Sequence, residues 1–448
     1  MGYAVPIRGV MLGAMLAFST TVTAQQPPTG EKPVGTTGTT SESNDKDKKD
    51  EQPRPDPMAR PSGFVAKARA WGEKQYERVS RFTKPMNDKG FTPEILTLGQ
   101  GSGLAAGLTW KGEQIGGSPI DLETFAGYSY RGYELYDMRI GLLRDRKART
   151  TLRTADSHIA SQFDASKQRV PGLGLYGHLQ YRHSPRHRYW GEGPDSEKED
   201  ASSFLMRGGS YEMVAEYQRS NFFGFAVRGG ILDIEVGPGE DGNRPDTQDV
   251  FNEATTPGLR RQPAFAHLAG GMTFDTRDAV GSPRSGGVLG LLTSRFHAID
   301  PGPEDLSFSR VAIDGRYFVP ATSRSVVALR VLASRDFGDS GGRVPFYLQQ
   351  TLGGGDVMRG FDRARFRDTA LMTVSAEYRF DVHKNVELAA FGDAGQVAPS
   401  FSALAPGHFE TSWGVGVRAK HKRNVLFRTD AAWSREGLRF IFSAGPVF

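Results

Sequence analysis

The string Gly338-Asp339-Ser340-Gly341-Gly342 has the spacing of a nucleophilic serine site. In a Gly-x-Ser-x-Gly elbow the serine stands on a sharp strand-to-helix turn and needs a histidine and a carboxylate within reach. Here the string opens a loop after a strand, no helical pattern follows it, and no matching histidine motif is visible. A flexible glycine-rich loop is the better interpretation, and we expect no catalytic residue and no enzyme activity.

Three histidines, His178, His183 and His187, could suggest a metal site. Only His178 sits in a clearly alternating segment, whereas the other two approach a loop. Lone histidines at such positions are more often solvated polar groups than ligands. The acidic loop from Asp241 to Glu253 lacks the spacing of a calcium loop, although a loose contact with a divalent ion or lipopolysaccharide is an alternative. We therefore expect no metal site and no cofactor.

The elements that carry these residues follow a period of two from about Phe91 onward. In the clearest segment, Met372 to Val382, apolar residues at every second position alternate with Thr373, Ser375, Glu377, Arg379 and Asp381. A strand with one apolar and one charged face is what a barrel wall between lipid and water requires. A soluble β-sandwich would have to pack these apolar faces on each other. The pattern predicts an all-β, transmembrane antiparallel β-barrel of about sixteen strands, an even number as in bacterial barrels.

Connections between the segments are of two lengths. The tight polar turns are Val382–Asn385, His421–Asn424 and Ser434–Gly437, and the long polar insertions are Ser184–Asp200, Gly237–Gln262 and Gly338–Phe361. Short turns at one end and long loops at the other are typical of outer-membrane barrels. Between Leu143 and Val170 the periodicity is weak, so the strand count could differ by two.

The N-terminal part of the chain has a different character. Arg8 followed by the apolar stretch Val10–Phe18 and the small residues Val22-Thr23-Ala24 predicts a signal peptide over residues 1–24. Residues 25–60 are polar and rich in proline, and we expect a disordered periplasmic linker. Residues 61–90 predict a short amphipathic helix and a connector before the barrel at 91–448. The helix either packs against the barrel mouth or plugs the lumen.

Composition narrows the choice of partners. The net charge is +5, but the basic residues are scattered singly through alternating segments. An exported chain without a basic patch is not expected to bind nucleic acid. The chain has no cysteine, so it has no disulfide and no lipoprotein anchor.

Several motifs in the barrel segment resemble one family. They are Leu352-Gly353-Gly354-Gly355, Val357-Met358-Arg359-Gly360-Phe361, Glu377-Tyr378-Arg379, Phe391-Gly392-Asp393-Ala394-Gly395, Phe274-Asp275-Thr276-Arg277-Asp278 and the run from Tyr189 to Ser196. This pattern looks like the bacterial surface antigen family, the barrel of BamA/TamA-type assembly proteins and two-partner secretion transporters. The resemblance covers roughly Phe91 to Phe448.

The resemblance implies a loop latch. In that family the Arg-Gly-aromatic loop folds back into the lumen, here as a long loop before the last five strands, and its arginine pairs with acidic residues on the inner wall. The latch would be Arg359, Gly360 and Phe361. Its partners would be Glu377, Phe391 and Asp393, which period-two counting places on the inward face. Arginine suits this role because its planar fork binds carboxylates bidentately. The alternative is that Arg359 simply balances luminal charge.

The C-terminal strand carries Phe440, Phe442 and Phe448 on one face. A terminal phenylalanine after an alternating strand resembles the signal that the outer-membrane assembly machinery reads. We expect that machinery to be a partner.

These features together favour a barrel in the bacterial outer membrane that helps to insert or translocate protein or lipid. The expected partners are outer-membrane lipid, lipopolysaccharide and an unfolded protein or lipid client, and the first barrel strand would meet the last one at a seam able to open. The alternative is a passive channel or structural barrel without client handling. Family members usually carry periplasmic polypeptide-transport-associated domains, and no segment with their α/β pattern is expected here.

Overall fold

The barrel wall consists of antiparallel strands joined in chain order. The computed structural model describes residues 85–99, 101–143, 171–300, 302, 304–339, 341–421, 423–443 and 445. Within them a single sheet of sixteen strands follows the sequence order, and its first and last strands stand at the two ends of the hydrogen-bonded order. The predicted fold class, an all-β antiparallel barrel of about sixteen strands, is confirmed.

Eleven wall strands precede the long loop: Phe91–Leu96 (β1), Ala105–Gly112 (β2), Asp121–Ser129 (β3), Glu134–Leu142 (β4), Gly172–Tyr189 (β5), Ser202–Gln218 (β6), Phe223–Pro238 (β7), Phe265–Asp275 (β8), Gly286–Ala298 (β9), Phe308–Thr322 (β10) and Ser325–Gly338 (β11). Within the loop, a separate two-stranded sheet pairs Gln350–Leu352 (β12) with Phe366–Asp368 (β13). Five wall strands follow: Ala370–His383 (β14), Val386–Ala398 (β15), Glu410–His421 (β16), Asn424–Ser434 (β17) and Gly437–Ser443 (β18).

Helical segments in the described residues are short. They are residues 85–87, Thr247–Val250 (α1) and the 3-10 turns Ile115–Gly117, Phe346–Leu348, Phe401–Ala403 and Pro406–His408. Among the residues that the structure describes, none of the helices has the length and apolar character needed to cross a membrane.

The wall strands expose apolar side chains and bury charged ones. Along β14, Val374 and Tyr378 are 40% and 46% exposed, whereas Glu377 and Arg379 are 1% and 4% exposed. A soluble β-sandwich would have the opposite pattern, with its apolar faces packed together. The exposed apolar face therefore suits contact with hydrocarbon, and the charged face lines the barrel interior.

The long loop between β11 and β14, residues 339–369, enters the barrel interior. Its apolar residues form a buried cluster with wall residues, and the members of the cluster are Leu332, Leu352, Val357, Met358, Phe361, Phe366, Leu371 and Val397. Five wall strands follow the loop, so the prediction of a long inward-folded loop before the last five strands is confirmed.

Two details of the sequence interpretation are wrong. The turn Ser434–Gly437 joins β17 to β18 at the end that carries the long loops, because antiparallel strands change ends at every connection. His183 and His187 lie within β5 as His178 does, since a shift in register between Ser184 and His187 lets the strand continue to Tyr189.

Several predictions fall on residues that the structure does not describe. The signal peptide at 1–24, the linker at 25–60 and the helix of 61–90 up to residue 84 lie outside the described residues. The same is true of residues 144–170, where the periodicity was weak, and of Ser340.

The outward surface can be tested at Val331, which lies near the middle of β11 and is 43% exposed. Val331→Arg should lower the free energy of unfolding by about 2–4 kcal/mol, because a cation on the lipid face near the bilayer midplane is costly. Urea titration in phospholipid bilayers, followed by tryptophan fluorescence, measures this change. Val331→Ile is the control and should unfold like the parent; equal stability of the two variants would contradict a lipid-facing surface.

Candidate functional site

The luminal loop doubles back on itself through the pairing of β12 with β13. Gly353 has φ +118°, and a Cβ at this position would lie 2.0 Å from the carbonyl oxygen of Asp362. Only glycine adopts this conformation without strain and allows such a close approach. The loop tip formed by residues 354–362 is thus held as a compact turn.

The side chain of Arg359, in this tip, is buried between two strands of the inner wall. Its Nε and Nη2 donate to Oδ2 and Oδ1 of Asp393 at 2.9 and 2.6 Å, which is a bidentate contact. Its Nη1 donates to Oε2 of Glu377 at 2.5 Å. The guanidinium carbon lies 3.4 Å from the ring centroid of Phe391, so the ring covers one face of the cation. The structure therefore brings Arg359 together with all three expected partners.

The register of the wall explains this convergence. Glu377 on β14 stands directly opposite Phe391 on β15, and Ser375 stands opposite Asp393. Cross-strand neighbours on one face of a sheet lie within side-chain reach. Two carboxylates and one ring on adjacent strands therefore form a single receptor for the guanidinium group.

The other two residues of the expected latch pack against the wall. Phe361 is fully buried and makes an edge-to-face contact with Phe366, with centroids 5.4 Å apart. A Cβ on Gly360 would lie 2.5 Å from the Cβ of Ser412 and 2.7 Å from that of Ser434. The backbone of the loop therefore touches β16 and β17 at a point where a side chain would not fit.

The receptor extends into a larger buried network that sequence reasoning missed. Glu377 also accepts hydrogen bonds from Arg379 at 2.7 Å and from Arg418 at 2.9 Å. Arg418 lies 3.1 Å from Asp430, and Arg428 lies 3.5 Å from the same carboxylate. Period-two counting predicts that these residues face inward, but it does not predict which charges meet.

Two wall arginines in addition hold the loop by its backbone. Arg428 donates to the carbonyl oxygen of Gly355 at 2.8 Å and to the carboxylate of Asp356 at 3.1 Å. Arg330, on β11, donates to the carbonyl oxygen of Asp356 at 2.7 Å. A buried charge is tolerated only when it is paired and hydrogen-bonded, so loop and wall each compensate charges of the other.

The remaining candidate residues do not join this site. Phe440 and Phe442 on β18 are 63% and 67% exposed on the outward face, and Phe448 lies outside the described residues. His178 binds Asp137 at 2.8 Å on the inner wall. In the part of the chain that the structure describes, no group of three or more histidine, aspartate or glutamate side chains could hold a metal ion.

A second polar network lies at the end of the tight turns, in the connection 276–285 between β8 and β9. Asp278 accepts hydrogen bonds from the backbone N–H groups of Arg284 at 2.9 Å and Ser285 at 3.2 Å, and from the guanidinium group of Arg423. Burial alone would raise the pKa of Asp278, but these hydrogen bonds outweigh it and hold the pKa below its usual value.

Arg284, in the same connection, donates hydrogen bonds to the ends of two other strands. Its Nη1 donates to Asp381 at 2.9 Å, and its Nη2 donates to the carbonyl oxygens of Thr322 at 3.0 Å and Ser323 at 2.8 Å. Asp278 belongs to the Phe-Asp-Thr-Arg-Asp motif, whose contacts period-two counting cannot reveal. This connection therefore ties β8 and β9 to the ends of β10, β14 and the turn before β17.

Comparison with known proteins agrees with this geometry. Residues 239–448 match the model of the Omp85 superfamily domain. This segment is an Omp85 superfamily domain. It contains the luminal loop, the Arg359 receptor and the five strands that follow the loop. The interpretation of the chain as a BamA/TamA-type barrel is therefore confirmed. No curated protein sequence is significantly similar to the chain.

Solved structures with the fold of this barrel include BamA from Haemophilus ducreyi lacking POTRA domains 1–3. It has 13% sequence identity and a TM-score of 0.54, and the match covers 82% of this chain and 77% of that one. CdiB from Escherichia coli matches with 11% identity, a TM-score of 0.43 and coverage of 80% and 59%. CdiB from Acinetobacter baumannii matches with 11% identity, a TM-score of 0.40 and coverage of 77% and 54%. At these identities, the likeness to BamA shows the fold alone.

Removing the Arg359 side chain should destabilise the barrel. Arg359→Ala leaves Asp393 buried without its arginine and takes one of three arginines from Glu377, and breaking a buried pair costs about 3–5 kcal/mol. Arg359→Lys keeps the charge but cannot form the fork, so its loss should be intermediate. Urea unfolding in bilayers and the temperature at which the folded band disappears on gels both measure the effect.

Arg363 supplies the matched control in the same loop. Its side chain is 32% exposed and lies 3.7 Å from Asp356, so Arg363→Ala should cost less than about 1 kcal/mol. If Arg359→Ala is as stable as Arg363→Ala, the ion pairs of Arg359 do not hold the loop.

The Asp278 network predicts a dependence on pH. Because the folded pKa is lowered, the stabilisation is present above the ordinary carboxylate pKa of about 3.9 and is lost as the pH falls through the folded value. A nitroxide label on Ala279→Cys should be immobile from pH 7 to about 5 and gain mobility at more acidic pH. Asp278→Asn should make the label mobile already at pH 7; identical spectra for both proteins at every pH would refute the role of Asp278.

Proposed function

We propose that the chain resides in the bacterial outer membrane and helps to insert or translocate protein or lipid there. Export would use the signal peptide at residues 1–24, and the barrel at 91–448 would contact outer-membrane lipid and lipopolysaccharide. The client would be an unfolded protein or a lipid. The Omp85 superfamily domain and the barrel fold support a role of this general kind.

The observation that carries the proposal is the attachment of the luminal loop to the inner wall through Arg359. In a passive pore, a loop that buries charged and aromatic side chains in the lumen would only narrow the path for solutes. A barrel that changes shape around a client does gain from such a loop, because ion pairs between loop and wall can hold one arrangement of the strands. Arg359, Gly360 and Phe361 would serve as the latch, with Glu377, Phe391 and Asp393 as its receptor.

The second part of the proposed mechanism is a seam between β1 and β18. These strands end the hydrogen-bonded order in the described residues. An unpaired strand edge offers backbone donors and acceptors to another strand. A client strand or a lipid would pass where these two edges separate. The aromatic residues Phe440, Phe442 and Phe448 on the last strand would be read by the assembly machinery.

Deletion of the gene, followed by outer-membrane proteomics and lipid analysis, tests this function. We expect the loss of a specific set of outer-membrane proteins or lipids, restored by the parent protein. Arg359→Ala, brought to the same level in the membrane, should restore less than the parent because its loop is released. Val331→Ile should restore fully and controls for expression.

The passive-channel alternative gives the opposite results. It predicts a large and steady conductance of the purified protein in planar bilayers, together with an unchanged outer membrane after deletion. Those two results together would overturn the proposal.

A further inference from the structure

Arg365, beyond the loop tip, is a second buried arginine with partners on two separate parts of the chain. Its side chain is fully buried. Its Nε donates to Oε1 of Glu436 at 2.6 Å, in the turn between β17 and β18. Its Nη1 and Nη2 donate to Oγ and to the carbonyl oxygen of Ser196 at 2.8 and 2.7 Å. Ser196 lies in the loop between β5 and β6.

Two aromatic rings surround Arg365, one from the luminal loop itself and one from the loop between β5 and β6. The guanidinium carbon lies 4.5 Å from the ring centroid of Phe366 and 5.4 Å from that of Trp190. Trp190 and Ser196 both belong to the run from Tyr189 to Ser196, which the Arg359 site does not use. Two residues of this motif therefore contact Arg365, Trp190 through its ring and Ser196 through hydrogen bonds.

Asp362 makes a parallel connection with the opposite charge. Its Oδ1 lies 2.6 Å from Nη1 of Arg439 on β18, and its Oδ2 lies 3.2 Å from Nη1 of Arg188 on β5. Lys198 also donates to the carbonyl oxygen of Glu436 at 3.2 Å. Arg365 and Asp362 thus each bind one group from the β5–β6 hairpin and one from the terminal hairpin β17–β18.

The two hairpins approach the seam from opposite directions. In the hydrogen-bonded order, β5 and β6 are the fifth and sixth strands counted from β1. The last two strands, at the other end of the order, are β17 and β18. Next to the Arg365 contacts, an open cleft of about 760 Å³ is lined by residues of both hairpins, among them Glu197, Glu199 and Arg435. The contacts that join the hairpins here are polar ones.

We propose that Arg365 and Asp362 form a clasp that bridges the two sides of the seam at the long-loop end of the barrel. They act as positioning residues: they restrain the separation of β1 from β18, and the seam opens at this end only after the clasp breaks. The clasp rests on the proposed function in one respect, namely that opening of the seam serves a client. The restraint that the clasp places on the terminal hairpin does not depend on the proposed function.

The clasp differs from the Arg359 contacts in the strands that it joins. Arg359 binds β14 and β15, which follow the loop directly, so its ion pairs remain intact when the terminal hairpin moves. The contacts of Arg365 and Asp362 must break in that movement. Buried hydrogen bonds to charged groups are strong but require close geometry, so a restraint of this kind releases abruptly.

Pulsed electron resonance distances between paired nitroxide labels test the clasp in the full-length protein in bilayers. The chain has no cysteine, so labels at Glu199→Cys and Leu438→Cys report across the seam. Labels at Glu199→Cys and Val250→Cys form a control pair that does not cross it. Arg365→Gln and Glu436→Gln remove the clasp from either side, and Arg363→Ala is the matched loop control.

We expect the parent and Arg363→Ala to give one narrow distribution for each pair. In Arg365→Gln and Glu436→Gln, a longer distance across the seam should gain population on the order of tenfold, since each loses a buried hydrogen bond to a charged group. The control pair should not change. Unchanged distances across the seam in both variants would overturn the clasp, and so would equal broadening of both label pairs, which indicates general loosening of the loops. If Arg365→Gln fails to fold, the result for Glu436→Gln decides.

A crosslink separates the clasp from the proposed function. Ser196→Cys and Glu436→Cys joined by a short bismaleimide link the two hairpins covalently in place of the clasp. If the joined protein still restores the deletion strain fully, opening of the seam is not needed for function, although the distance measurements can still support the clasp. If the joined protein fails to restore the strain while the unjoined pair succeeds, the clasp regulates the proposed function.

Discussion

The contact between Arg359 and its two carboxylates ties the luminal loop to the barrel wall. A guanidinium group and two carboxylates without solvent access are each expensive alone, and they are tolerated because each compensates the others. Because the arginine comes from the loop and Asp393 comes from the wall, neither of these two charges is compensated without the other. The wall strands therefore determine the position of the loop as much as the sequence of the loop does.

The wall provides this receptor through simple alternation. Apolar side chains at every second position face outward, and the residues between them turn charged groups toward the interior. Arginines and carboxylates on neighbouring strands then meet in register, as Glu377 meets Arg359, Arg379 and Arg418. The alternation that gives the barrel an apolar exterior therefore also gives it a charged interior, and the charges of that interior anchor the loop.

The same loop binds the barrel at two places, at its tip and near the ends of two hairpins. Arg359 fixes the tip to β14 and β15, while Arg365 and Asp362 reach the β5–β6 and β17–β18 hairpins. One loop thus contacts the continuous wall, the β5–β6 hairpin and the terminal hairpin.

The sequence predicted the fold and the pairing of Arg359 with Glu377, Phe391 and Asp393 for two different reasons. Alternation is a local property that survives in every strand, whereas the pairing came from motifs that resemble a family. Local patterns could not reveal Arg365 with Ser196 and Glu436, because these residues are far apart in sequence and meet only once the strands are ordered. The end at which Ser434–Gly437 lies was missed because turn length alone does not determine it.

A double-mutant cycle between Arg359 and Asp393, read as the free energy of unfolding in bilayers, tests the central claim most directly. Arg359→Ala, Asp393→Asn and the double variant are compared with the parent. Residues in direct contact couple by about 0.5–3 kcal/mol, and the bidentate, buried geometry predicts a favourable coupling near the upper limit. If the two effects simply add, Arg359 and Asp393 do not hold the loop against the wall.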